Sequence, residues 1–221
     1  MIIFALQNTS MTEARTVAEK LLEAEAVKLN LQQPYTWASG WKSPIYCDNR
    51  RLLSFPHIRD FFKSELSARI FTDYPDAGAI AGVATAGIAW GAMIADQLKL
   101  PFLYVRPKPK EHGLGNQIEG RIEAGQGVVV VEDLISTGKS SLQVCEVLSK
   151  AGMKVEGMVA LFTYGFPQAE EAFLQAGVTL NALSDYASLI EQARERGLVK
   201  ENEINTLLKW RSDPAAWRGI E

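Results

Sequence analysis

The sequence predicts an α/β domain in which a parallel sheet is flanked by helices on both faces. Two observations carry that prediction. Strand-like and helix-like segments alternate from residue 79 to residue 196, the order that builds crossover units of parallel strands. Val128-Val129-Val130-Val131 is an unbroken apolar run, as expected of a strand buried on both faces. At 221 residues, 47% of them hydrophobic, one core can bury about 70% of the unfolded surface without disulfides or metals.

Each element has its own signal. Ser10 and Glu13 have capping-box spacing, and Val17, Leu21, Leu22 and Val27 recur at helical intervals, so a first helix is expected from Met11 to about Leu31. Thr36 to Asp48 sets aromatic and β-branched residues around a Ser-Gly turn and Pro44, a pattern of short irregular strands. A second helix is expected over His57–Phe71, closing before Tyr74-Pro75. Strands then follow at 79–82, Phe102–Val105, Gly127–Val131, Val155–Phe162 and Thr179–Leu183, and helices at 87–98, Lys139–Lys150, 167–176 and 185–196, before a polar helical tail. No repeat, low-complexity tract or linker forces a second domain, so 1–221 reads as one domain.

Composition narrows the function classes. A formal charge of −3 argues against general nucleic-acid binding, which needs clustered Lys and Arg. Cys47 and Cys145 are the only cysteines, a usage that fits a reducing, cytoplasmic compartment. Met1 to Leu6 lacks the basic region of a signal peptide. Ala77 to Ala95 is an uncharged run of nineteen residues, close to the length of about 20 that spans a bilayer. It is mostly Ala and Gly and flanked by Asp76 and Asp96, so it reads as a strand, a Gly-rich turn and a helix, with no membrane partner. Of five tryptophans, Trp37, Trp41, Trp210 and Trp217 lie outside the expected sheet, which fits apolar surface that a second subunit would cover.

Ligands of such sheets sit beyond the carboxyl ends of the strands, so the chemistry is expected in the loops after residues 82, 105, 131 and 162. The most informative is Glu132-Asp133-Leu134-Ile135-Ser136-Thr137-Gly138-Lys139-Ser140, two acids and then a hydroxyl-rich turn that opens a helix. Carboxylates at a strand end accept hydrogen bonds from vicinal hydroxyls, and the turn presents N–H groups at the positive end of a helix, where a phosphate binds. Together they suit a sugar phosphate. The competing reading is a helix start whose acids and hydroxyls merely satisfy first-turn N–H groups. A nucleoside-triphosphate loop is excluded, since its first Gly would fall where Asp133 stands. A second segment, Arg106-Pro107-Lys108-Pro109-Lys110-Glu111-His112-Gly113, is too rich in Pro and Gly for helix or strand and carries net positive charge, as a basic lid or a solvated loop would.

Val130 to Ser141 resembles the ribose-phosphate motif of the type I phosphoribosyltransferases. Arg106, Lys110 and His112 resemble the flexible catalytic loop of the orotate branch of that family, and Ser39-Gly40-Trp41-Lys42-Ser43-Pro44-Ile45-Tyr46-Cys47-Asp48-Asn49-Arg50 is similar to its base-side hood. With Ala84-Thr85-Ala86-Gly87 and Phe162-Thr163-Tyr164-Gly165, the resemblance runs from about Thr12 to Trp210. There are departures. Glu132 stands where Asp is usual, Ala38 and Ala86 where some members carry lysines, Pro107 where a second basic residue is found, and Tyr164 where an orotate-contacting Arg is found. Lys42 and Arg50 are candidates to supply the lost charge.

The resemblance implies a type I phosphoribosyltransferase-like fold with a small N-terminal hood formed largely by about 1–50, a core over about 57–183 and C-terminal helices over 184–221. It implies transfer of the 5-phosphoribosyl group from 5-phosphoribosyl 1-diphosphate to orotate in pyrimidine biosynthesis. Lys110, His112 and Asp133 are then catalytic. The phosphoribosyl diphosphate is held by Arg106, Lys110, His112 and residues Glu132, Asp133, Leu134, Ile135, Ser136, Thr137, Gly138, Lys139 and Ser140, while Ser136 also meets orotate. His112 is expected to hydrogen-bond the diphosphate rather than deliver a proton. A magnesium ion is expected to bind mainly through substrate, with no direct protein ligand, and a homodimer to share the lid across subunits. Two alternatives stay open: a purine-base transferase, and a regulator that senses phosphoribosyl diphosphate and binds nucleic acid.

Overall fold

The computed structural model describes residues 2–108 and 117–219, with side chains from Glu13 onward. In chain order the elements are α1 (Ile2–Glu23), β1 (Val27–Leu29), β2 (Tyr35–Thr36), β3 (Lys42–Ser43), β4 (Ile45–Cys47), a 3-10 turn (Asn49–Ser54), α2 (Pro56–Asp73), β5 (Ala79–Val83), α3 (Ala86–Leu98), β6 (Phe102–Val105) and β7 (Ile118–Glu119). They continue with β8 (Gly127–Ile135), α4 (Lys139–Lys150), β9 (Lys154–Thr163), α5 (Pro167–Ala176), β10 (Leu180–Asp185), α6 (Tyr186–Glu195), a 3-10 turn (Glu201–Glu203) and α7 (Ile204–Ser212). The main sheet has six strands in the order β10-β9-β8-β5-β6-β7. β6, β5, β8 and β9 pair in parallel, as expected, and β7 joins the edge antiparallel to β6. No helix among the described residues is long and apolar enough to cross a membrane.

The chain divides into two compact units, one of Met1–Arg59, Tyr164–Pro167 and Ser184–Glu221, the other of Asp60–Thr163 and Gln168–Leu183. In the first, α1 buries Val17, Ala18, Leu21 and Leu22 and lies along α6, where Arg15 pairs with Glu191 and Glu195 and Arg196 pairs with Glu19. Asp185 caps α6 by accepting from the Ser188 N–H at 2.8 Å. An aromatic cluster fills this unit. Trp37 lies 5.1 Å from Tyr164, 5.7 Å from Trp210 and 6.4 Å from Trp41 between ring centroids, within the range for favourable aromatic pairs.

Three expectations need correction here. The first helix does not run from Met11 to Leu31: it starts at Ile2, so Ser10 lies within it rather than at its start, and it stops at Glu23. Glu25 turns to a φ of 50°, Ala26 donates back to the Leu21 carbonyl, and Val27 to Leu29 pair with Ile45 to Cys47 instead of extending the helix. A strand partner supplied from later in the chain outweighs a continuing helical period. The tryptophans are not all left for a second subunit, since Trp210 is fully buried and donates from Nε1 to the Lys42 carbonyl at 3.1 Å. The third is the strand expected to end at Val131: β8 continues to Ile135, with Glu132 opposite Ala160 and Leu134 opposite Phe162. Charged side chains end an apolar run in sequence without ending the backbone ladder.

In the second unit, the small residues of the uncharged run allow α3 to sit tightly on the sheet. A Cβ on Gly87 would lie 2.4 Å from the Val131 carbonyl oxygen, and one on Gly82 would lie 2.6 Å from the Gly87 carbonyl oxygen. Trp90 on α3 is fully buried against Phe62 of α2. The run that has the length of a membrane span is therefore a strand and a helix pressed together through glycines.

Candidate active site

The parallel register aligns the carboxyl ends of three strands. Val83 of β5 lies opposite Val105 of β6, and Gly82 lies opposite Val131 of β8. The turn before α3, the segment after β6 and the turn after β8 thus leave the same end of the sheet. Two contacts tie them together: Ala84 donates from its N–H to the Val105 carbonyl at 3.0 Å, and Gly87 packs on the Val131 carbonyl.

The turn after β8 spans Ser136 to Gly138 and opens α4 at Lys139. Gly138 is the N-cap with a φ of 75°, a left-handed conformation that favours Gly, and a Cβ there would press within 2.7 Å of the Phe173 ring. The cap residue, being Gly, has no side chain with which to cap the helix. The cap-only reading therefore loses its main support, because neither the acids nor the hydroxyls occupy the cap position they would need. Ser136 and Thr137 are half-buried beside the turn, and Lys139 and Ser140 are exposed on the first helical turn. The result is a row of N–H groups at the positive end of a twelve-residue helix, open to an anion. Leu134 is half-buried, while Ile135 is fully buried in the core, so Ile135 offers a ligand only its backbone.

The two acids are unequal. Glu132 is only 7% exposed, and its carboxyl accepts from the Ser141 hydroxyl at 3.1 Å and from the Asp133 N–H at 3.0 Å. Burial, and then the charge of Asp133 beside it, push the Glu132 carboxyl well above the usual carboxylate range. Asp133 is half-buried and next to it. Ser141 is a site residue that the sequence reading passed over. Its signal was present: Ser141, Val144, Cys145 and Leu148 form the buried stripe of α4, and a hydroxyl in an apolar stripe requires a buried partner.

The segment after β6 is clamped at its base. Arg106 donates from its N–H to the Gln117 carbonyl at 2.9 Å, and the Gln117 side-chain amide donates to the Arg106 carbonyl at 2.7 Å. The Arg106 guanidinium lies 3.9 Å from the Glu119 carboxylate, an ion pair open enough to solvent to cost little to exchange for a ligand. Lys110 and His112 lie outside the described residues. β7, which brings the chain back to the sheet, was missed in sequence because two residues hold too little pattern to show a strand.

The residues read as compensating for lost base-side charge belong to the first unit. Lys42 donates to the Thr36 hydroxyl at 2.8 Å, and Arg50 pairs with Asp48 at 2.6 Å. Tyr164 is buried in the aromatic cluster, and Arg211 donates to the carbonyls of Tyr164 and Gly165 at 3.2 and 2.8 Å. Among the described residues no group of three or more His, Cys, Asp or Glu could cage a metal ion.

A sheet of this order with a Gly-opened helix after two acids defines a phosphoribosyl-binding protein, and residues 54–179 match the family model of the phosphoribosyl transferase domain. The chain is 52% identical over 208 residues to the orotate phosphoribosyltransferase of Cytophaga hutchinsonii, covering 94% of this chain and 100% of that one. It is 54% identical over 203 residues to the enzyme of the same name from Bacteroides thetaiotaomicron, covering 92% and 96%. Among solved structures, orotate phosphoribosyltransferase from Aeropyrum pernix aligns with a TM-score of 0.71 at 33% identity, over 83% of this chain and 99% of that one. The chain belongs to the orotate phosphoribosyltransferase family.

Proposed function

We propose that the protein transfers the 5-phosphoribosyl group of 5-phosphoribosyl 1-diphosphate to orotate, giving orotidine 5′-phosphate and diphosphate. The observation that carries this reading is the run from β8 into α4: two adjoining acids, then a hydroxyl-rich turn and a helix opened by Gly138, in a chain about half identical to enzymes of that name. Bond breaking at the anomeric carbon leaves positive charge on the ribose ring. Asp133 accepts the ring hydroxyls and stabilises that charge, and the N–H groups of 136–140 hold the 5-phosphate. Arg106, Lys110 and His112 serve the departing diphosphate, with His112 as a hydrogen-bond donor. Magnesium, when bound through substrate oxygens, neutralises part of the diphosphate charge. Closure of the 106–117 segment excludes water, which strengthens each of these interactions and protects the activated sugar from hydrolysis. The same reading includes a homodimer that shares this segment between subunits, and a cytoplasmic location.

Incubation with phosphoribosyl diphosphate, magnesium and each base in turn, with diphosphate release as the readout, tests the assignment. Release is expected with orotate and not with adenine or hypoxanthine; the reverse pattern would establish the purine-base reading. Salt-dependent nucleic-acid binding without turnover would instead establish the regulator. Lys110→Ala is expected to lower turnover more than about tenfold with the melting temperature unchanged, the scale for losing one group that stabilises transition-state charge. Wild-type turnover in that variant would remove the basic segment from the mechanism.

A further inference from the structure

We infer that Phe173 on α5 is a positioning residue for the phosphate-binding turn: its buried ring packs against Gly138, holds the left-handed conformation that opens α4, and so fixes the N–H groups of 136–140 that the proposed function assigns to the 5-phosphate. The inference rests on that function and adds to it a residue of a later helix.

A Cβ on Gly138 would lie 2.7, 3.2 and 3.7 Å from Cε2, Cδ2 and Cζ of Phe173, so the ring occupies the space that any other side chain at 138 would enter. The N-cap is thereby restricted to Gly, at a φ of 75°, and its carbonyl accepts the first helical bond, from the Leu142 N–H at 2.9 Å. Phe173 is itself held. It is 4% exposed, and Ala169 and Phe173 form the buried stripe of α5. The helix ends just beyond it in a two-bond lock: the Val178 N–H donates to the Phe173 carbonyl at 3.1 Å and the Gly177 N–H to the Leu174 carbonyl at 3.1 Å, with Gly177 at a φ of 64°. A ring whose backbone is fixed in this way, in a close-packed interior, has no room to swing away from the turn. The consequence for binding is geometric. A row of N–H groups holds a phosphate only while their directions converge on it, and misplacing a binding group by about 1 Å costs up to about a hundredfold.

Calorimetric binding of three ligands, with thermal melting as the control for folding, tests the assignment. Phosphoribosyl diphosphate and orotidine 5′-phosphate both carry the 5-phosphate, whereas diphosphate with magnesium does not. Phe173→Ala is expected to weaken the first two about tenfold and to leave diphosphate within about twofold, since a shift of the turn reaches only the 5-phosphate. Leu174→Ala, the neighbouring substitution at a side chain 81% exposed, is expected to bind all three like wild type. Gly138→Ala is expected to weaken the same two ligands, and to do so less in a Phe173→Leu background, where the smaller side chain leaves room for the added methyl. The two substitutions together then lose less than the product of their separate effects. Wild-type binding of phosphoribosyl diphosphate by folded Phe173→Ala would overturn the inference. An equal loss for diphosphate would overturn it too, by making Phe173 a residue that only stabilises the core, and so would multiplicative losses in the double variant. If Phe173→Ala does not fold, the cycle of Gly138→Ala and Phe173→Leu decides the question, because Leu keeps most of the buried volume. Wild-type protein that binds neither phosphoribosyl diphosphate nor orotidine 5′-phosphate would overturn the proposed function itself, a result distinct from all of these.

Discussion

Asp133→Asn lowers kcat/KM for phosphoribosyl diphosphate by about a hundredfold or more, measured by diphosphate release, with little change in melting temperature. The substitution keeps the shape of the side chain and removes its charge. It also replaces one acceptor oxygen with an N–H donor, which faces ring hydroxyls that are themselves donors. Loss of one preorganised group that stabilises transition-state charge costs about 2.7 to 4 kcal/mol, a factor of roughly 10² to 10³ in rate. Glu132 does not make good the loss, because it is buried and its carboxyl is held by the Ser141 hydroxyl. Unchanged kinetic constants would mean that the acids only complete the strand, and the sugar-phosphate reading of this segment would fail.

Gly87→Ala is expected to lower the melting temperature by about 6 to 12 °C and to abolish most activity, read by calorimetry and by the same diphosphate assay. The added Cβ would stand 2.4 Å from the Val131 carbonyl oxygen, so backbone rather than a flexible side chain must give way. Overpacking a core costs about 1 to 3 kcal/mol, a clash with backbone falls at the top of that range, and at this size each kcal/mol moves the midpoint by about 2 to 4 °C. Activity falls further than stability because the contact lies in β8 one residue before the two acids, and α3 must move away from it. Gly40→Ala serves as the comparison. It also changes a Gly, at a φ of 85°, but nothing lies within 4 Å of the added Cβ, and a cost of only about 1 to 2 kcal/mol is expected from the backbone alone. A melting temperature for Gly87→Ala equal to that of Gly40→Ala would show that α3 is not held where the packing places it.

Much of the architecture was legible because it depends on local chemistry. The valine run of β8 and the glycine that opens α4 each declare a conformation through their own side chains. What was not legible depends on partners distant in sequence. The residues after Glu23 continue a helical period, and only pairing with β4 makes them a strand. The tryptophans outside the sheet suggested exposed apolar surface, yet Trp210 packs with Tyr164, Phe166 and Tyr186, which no sequence window contains together.

The division is clearest at residues 132 and 133. Sequence alone determined that two acids and a hydroxyl-rich helix start follow a buried strand, because residue type and spacing are local properties. Only the tertiary structure decided that the acids are unequal. Protonation and hydrogen bonding depend on what surrounds a carboxyl, and the burial of Glu132 and its reach to Ser141 exist only once α4 has folded back on the sheet.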